Sequence, residues 1–320
     1  MALVDSRVNL RVSPDKIQDL ANDLQQNKLS REHISDRFQG FQEAAKDRSH
    51  RQERAERVEW ICSLLNDAGV SYASMKNLRT PMAMMSDVDL LIPDPSEQAA
   101  AAKVLADEGF EFYRFRLLAH PRKVMAKQSA EDPRPVDIYP DAMWIRKVVC
   151  DAEAVVERAD PCGERTPAPA DDLYLVATHA YSHLSVTFAE LLHGVQIIVE
   201  TDEIDWSIAI DSAREYGCLD GLYAYLLLLD EYLAATDRQR VPAAVFDSIP
   251  NTWAITLIHR WWKRNRPRSF PIEFPTWLPT IVSSGHHIPR ARRQLSPRET
   301  WKDFQSHYLT AASKVLLGET

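Results

Sequence analysis

Ser86-Asp87-Val88-Asp89-Leu90-Leu91-Ile92 is the stretch on which the reading of this chain turns. Side chains on a strand alternate with a period of two, so Asp87 and Asp89 share one face while Val88 and Leu90 share the other. The run Leu90-Leu91-Ile92 marks an interior strand, where two acids on one face are costly unless a cation joins them. Carboxylates at this spacing are hard oxygen donors that suit Mg²⁺. A pair of such ions clamps the attacking and leaving oxygens in phosphoryl or nucleotidyl transfer. An isolated Asp-x-Asp is explained as well by solvated charge on a strand edge, so the surroundings have to decide.

Working outward, the chain changes period at Gly69. Segments 70–75, 87–92, 110–115, 122–127 and 135–140 are short, apolar or alternating, and bounded by turn residues, and they read as strands. An alanine-rich helix is expected over 96–108, closed by Gly109. Helix, two strands, helix and three strands make a mixed sheet packed on helices, an α/β (α+β) arrangement. Lys76 ends the strand before the acidic pair, where its ammonium can neutralise a phosphate. Asp137, between Val136 and Ile138, sits in a strand that the intervening elements can return beside Asp87 and Asp89.

The flanks are helical in pattern. Helices are expected after Ser13-Pro14, from Ser30, and from about Ser49 to Ala68, where Val58, Ile61, Leu64 and Leu65 share a side. Residues 159–171 are rich in proline and polar groups and read as a linker. Helical spacing then returns, with Leu173, Val176, Ala177 and Ala180 on one face. The expected organisation is an N-terminal helical extension (1–58), a core (59–158) and a mostly helical C-terminal domain (170–320).

Composition narrows the function classes. With 45% hydrophobic and 26% charged residues, the 320-residue chain can bury a sizeable core. A net charge of -8 argues against a broadly basic nucleic-acid surface, and Arg260–Arg268 and Arg290–Arg293 are local exceptions. Cys62, Cys150, Cys162 and Cys218 form no CxxC pair and suit reduced intracellular thiols. No signal segment or apolar run of membrane-spanning length is seen, so a cytoplasmic protein with no membrane partner is expected. GxSxG, GxxxxGK[ST] and glycine-rich dinucleotide loops are missing, which removes the usual serine hydrolase, P-loop and Rossmann readings. His179 and His183 have zinc-compatible helical spacing but no third ligand nearby, so packing or substrate contact is the better reading. Trp261-Trp262-Lys263-Arg264-Asn265-Arg266 reads as a helix end with core tryptophans in preference to a stacking groove for RNA.

Met75-Lys76-Asn77, Ser86-Asp87-Val88-Asp89-Leu90-Leu91 and Val136-Asp137-Ile138 together resemble the uncharacterised nucleotidyltransferases of the polymerase-β-like superfamily. Past the linker, Asp171-Asp172-Leu173, Thr178-His179-Ala180, His183, Asp205-Trp206 and Ala213-Arg214-Glu215-Tyr216-Gly217 continue the likeness. The resemblance covers about 58–235. It implies a nucleotidyltransferase fold, Mg²⁺ (or Mn²⁺) as cofactor and an NTP as substrate. Asp87, Asp89 and Asp137 would be the metal-binding and catalytic carboxylates, with Asp137 also placed to take the acceptor's proton. Ser74, Lys76, Asn77 and Ser86 would contact the nucleotide. The acceptor would be an unknown hydroxyl on a small molecule, a protein or RNA. The chain departs from the pattern at Asn77, where the family has glycine, and at Met82–Met85, where it usually has an arginine. Gln196 stands where an acid is often found. These departures keep open a second reading, a catalytically weak or inactive binding protein on the same fold.

Overall fold

The computed structural model describes residues 42–76, 87–114, 123–129, 131–132, 134–144, 147–183, 185–235, 239–265 and 272–273. The expected helices after Ser13 and from Ser30, and the segments Arg79–Ser86 and Arg290–Arg293, lie outside them. Helix α1 (Gln42–Asp67) leads into β1 (Ala73–Met75) and β2 (Val88–Leu91). Helix α2 (Pro95–Asp107) is followed by β3 (Glu111–Arg114), β4 (Val124–Lys127) and β5 (Val136–Tyr139). All five expected strands form, each shorter than the apolar run that announces it.

These strands make one mixed sheet in the order β1-β2-β5-β4-β3. Strand β1 is antiparallel to β2, β2 parallel to β5, and β5 and β3 each antiparallel to β4. The parallel pair needs a crossover, and α2 with the β3–β4 hairpin supplies it. Helix α2 starts one residue before the expected serine because Asp94 caps it, accepting from the Ser96 and Glu97 amides, with Pro95 in the first turn.

Alternation along the strands sorts the sheet's two faces. Val88, Leu90, Ile92, Val136, Ile138 and Ala126 pack with Val58, Ile61 and Leu65 of α1 and with Ala101 and Leu105 of α2. The α1 residues recur at helical spacing, which is why this helix buries one side. On the opposite face, Ala73, Met75, Leu91 and Tyr139 join a second core built largely from the helices that follow.

A short hairpin of β6 (Met143–Trp144) and β7 (Lys147–Val148) and the helix α3 (Ala152–Arg158) connect the sheet to α4 (Pro169–Ser182). Strand β8 (Ser185–Val186), which pairs with β9 (Ile272–Glu273), leads to α5 (Phe188–Glu200), α6 (Trp206–Glu215) and α7 (Leu219–Ala235). Helices α8 (Ala243–Ser248) and α9 (Trp253–Asn265) complete the order. The Trp144 indole donates to Thr178 Oγ1 at 3.0 Å, tying β6 to α4. Trp262 is buried in the helical core while Lys263 and Arg264 stand in the last turn of α9. That is the core-tryptophan arrangement expected for this segment. Between α3 and α4 the proline-rich stretch docks on the free side of β1. Arg165 accepts from the Ser74 amide at 3.0 Å, and its guanidinium donates to the Tyr72 carbonyl at 3.0 Å. Covering an edge in this way removes a row of unpaired backbone groups. Among the described residues no helix is long and apolar enough to cross a membrane.

Candidate metal centre

The register of the central strands sets the site. Asp89 is the Cα partner of Asp137 across the parallel β2–β5 pair, and of Met75 across β1–β2. Both aspartates lie on the face that carries Leu91 and Tyr139, opposite α1 and α2, and each is only 1% exposed. Asp87, partly exposed at the entry to β2, completes the group. One ligand oxygen from each of Asp87, Asp89 and Asp137 lies within 4.8 Å of the others. The sequence expected these carboxylates to converge, and they do.

Two ammonium groups meet the pair. Lys76 Nζ lies 2.9 Å from Asp89 Oδ2, and Lys123 Nζ forms an ion pair with Asp137 Oδ2. Tyr139 stands between the lysines, its ring centroid 5.1 Å from Lys76 Nζ and 5.2 Å from Lys123 Nζ. Trp144 closes the far side of Lys76, at 5.3 Å. Such contacts favour a cation over the ring face. Burial and the charges of Asp89 and Asp137 push the Tyr139 hydroxyl far above its usual value, so it stays a donor.

Lys76 reaches this face through an unusual backbone. Its neighbour Met75 pairs with Asp89, so a regular strand would send Lys76 to the opposite, helix-covered face. Lys76 instead adopts φ 54°, a left-handed conformation that costs a non-glycine residue roughly 1–2 kcal/mol. The turn brings its ammonium back to Asp89.

Two carboxylates buried side by side resist joint ionisation. Burial first, and then the charge of Asp89, raise the Asp137 carboxyl to about 6, against the lowering pull of Lys123; Asp87 adds to the rise. Asp89 Oδ1 and Asp137 Oδ1 are buried and accept no hydrogen bond. Buried polar atoms are nearly always paired, and an orphan points to an ion or water. Two orphaned carboxylate oxygens beside a third acid form the hard-oxygen donor set that a divalent cation such as Mg²⁺ uses.

The remaining expected residues divide. Ser74 pairs with Leu90, so alternation places it on the helix-covered face, and the register does not carry its hydroxyl to the carboxylates. Asn77 and Ser86 lie outside the described residues. His179 stacks edge-on with Trp144 at 5.1 Å and lies 4.6 Å from the His183 ring, with Nδ1 3.4 Å from Glu190 Oε1. Among the described residues, only the three aspartates form a group of three or more that could hold a metal, and of the two histidines His179 is half-buried against Trp144 while His183 is exposed.

Sequence reading missed Lys123, Tyr139 and Trp144. Tyr139 was within reach, standing two residues beyond Asp137 on the same strand face. Lys123 needed the register of β4 on β5, which pairs Val124 with Ile138 and Met125 with Asp137 and so brings Lys123 alongside Tyr139. Trp144 carried no local signal.

A family model described as an uncharacterised nucleotidyltransferase matches residues 20–234. No curated protein and no solved structure matches the chain.

Proposed function

We propose that this chain, which belongs to the uncharacterised nucleotidyltransferase family, transfers a nucleoside monophosphate from an NTP to a hydroxyl acceptor in a divalent-metal-dependent reaction. The observation that carries the reading is the convergence of Asp87, Asp89 and Asp137, with two buried Oδ1 atoms left unpartnered. Asp87, Asp89 and Asp137 would hold Mg²⁺ or Mn²⁺, which when bound stabilises charge developing on the α-phosphoryl group and on the leaving pyrophosphate.

The chain's own groups supply the rest. The acceptor oxygen forms a bond to the α-phosphorus as the bond to the pyrophosphate oxygen breaks. Asp137, on the strand beside Asp89, would also be placed to take the acceptor's proton. Lys76 contacts the phosphates as a point charge, its position fixed by its left-handed backbone and by Tyr139 and Trp144. The same two aromatic residues exclude water beside the reacting groups, which strengthens every charge interaction there. The carboxylate face turns toward the described helices between Pro169 and Asn265, and we assign the C-terminal domain to which they belong the role of selecting the acceptor, a small molecule, a protein hydroxyl or an RNA end.

A second reading has a specific observation behind it. Lys76 and Lys123 each bond one oxygen of the buried pair, and a charge-balanced network of this kind can stabilise a fold without turning over a nucleotide. One experiment separates the two. Purified protein is incubated with each α-labelled NTP, Mg²⁺ or Mn²⁺ and a lysate as acceptor source, beside Asp87→Asn/Asp89→Asn. Label transferred by the wild type alone establishes the transferase. No transfer together with no NTP binding by calorimetry selects the binding protein.

A further inference from the structure

We propose that Lys123 is a displaceable counter-ion: a divalent cation takes Asp137 from it, and the released ammonium then binds the triphosphate. The inference rests on the metal reading of the aspartates. Lys123 Nζ bonds Asp137 Oδ2, the oxygen next to the orphaned Oδ1, so ammonium and metal compete for one carboxylate.

The two lysines are held differently. Lys76 is fixed by its turn and contacts three residues: Asp89, Tyr139 through its hydroxyl at 3.5 Å and its ring, and the ring of Trp144. The described contacts of Lys123 are the carboxylate and one ring face, and it stands just before β4, at the end of its strand. Breaking its ion pair leaves Lys123 beside Tyr139, within a long side chain's swing of whatever Lys76 binds. Metal and nucleotide would therefore bind with positive coupling, because each favours the arrangement in which Lys123 has left Asp137.

The test is Mn²⁺ binding, followed by calorimetry and electron paramagnetic resonance on chelator-treated protein. Wild type, Lys123→Met, Lys123→Gln and Asp89→Asn are compared, with and without an α,β-methylene NTP that cannot be cleaved. Lys123→Gln keeps a polar head on Asp137 in case the methionine variant does not fold. Removing the competing charge should tighten binding of Mn²⁺ alone by roughly tenfold or more, since an adjacent charge alters a carboxylate's affinity by that order. The nucleotide should tighten Mn²⁺ binding in the wild type and do so far less in the Lys123 variants. Mn²⁺ that binds the wild type and not Asp89→Asn, but binds the Lys123 variants no tighter than the wild type, overturns the Lys123 proposal and leaves the metal site standing. Absence of Mn²⁺ binding in all four proteins overturns the metal reading, and this inference with it.

Discussion

Asp137→Asn should gain stability relative to the wild type as the pH rises to neutral in the absence of divalent ions. The Asp137 carboxyl titrates near 6 in the fold, against 3.8 for an ordinary aspartate. A raised acid is one that the folded state prefers neutral. Between these two values the folded chain binds more protons than the unfolded chain, so stability falls as pH rises through the window and levels off above about 6. At about 1.4 kcal/mol per pH unit, the full span costs about 3 kcal/mol. Between pH 4.5 and 7.5 about 2 kcal/mol of it develops. This figure already includes the pull of Lys123, which is one of the causes behind the value.

Asparagine matches the neutral carboxyl in shape and does not ionise. The difference in unfolding free energy between Asp137→Asn and wild type follows this group together with the charges coupled to it, Asp89, Lys123 and Asp87. Urea melts in chelator should show Asp137→Asn gaining about 2 kcal/mol on the wild type between pH 4.5 and 7.5. Saturating Mn²⁺ at pH 7.5 should then favour the wild type, since ligand binding to the folded state adds stability. A difference that stays constant with pH would refute the argument, and would mean that Asp137 ionises without strain.

Other perturbations have defined outcomes. Lys76→Met should weaken NTP binding by roughly 10- to 100-fold, the loss of one charge-assisted contact, measured by calorimetry; unchanged affinity would remove Lys76 from the phosphate site. Arg158→Met should destabilise by about 3 kcal/mol, because the bidentate guanidinium at 2.9 Å is what balances Asp171, itself 1% exposed. Adding Asp171→Asn to that variant should recover part of the loss in the same melts. Gly194→Ala should cost about 1–3 kcal/mol, since a Cβ there runs into the hydroxyl of Tyr225, which is pinned to the Glu190 carbonyl at 2.6 Å.

Much of the sheet could be read from the chain because each strand carries its own signal. Val88, Leu90 and Ile92, and then Val136 and Ile138, pack on the helices α1 and α2, so the residues between them must face the other way. That single constraint fixes the side on which Asp89 and Asp137 lie. Leu105 and Ala101 likewise announce α2 through helical spacing. Lys123 could not be read this way, since its partner depends on which residue of β4 stands opposite Asp137, and nothing in segment 122–127 states a register. The left-handed backbone at Lys76 carried no local signal either, because it is the contacts of its ammonium that outweigh the modest cost of the turn.

These features share a cause in the sheet's alternation. With one face given to α1 and α2, the charged groups of the centre lie on the other, and that face also carries Met75, Leu91 and Tyr139 into the helical core. A charged cluster placed there cannot rely on water, which is why each buried aspartate draws an ammonium group to one oxygen. The second oxygen of each is left over. Two lysines balance two aspartates, and Asp87, at the entry to β2, adds a third carboxylate beside them. A divalent cation suits that surplus better than a third lysine, because it can engage all three acids at once. The chain thus spends strain at Lys76 and proton affinity at Asp137 on one spot of one sheet face, an arrangement that packing alone would not select.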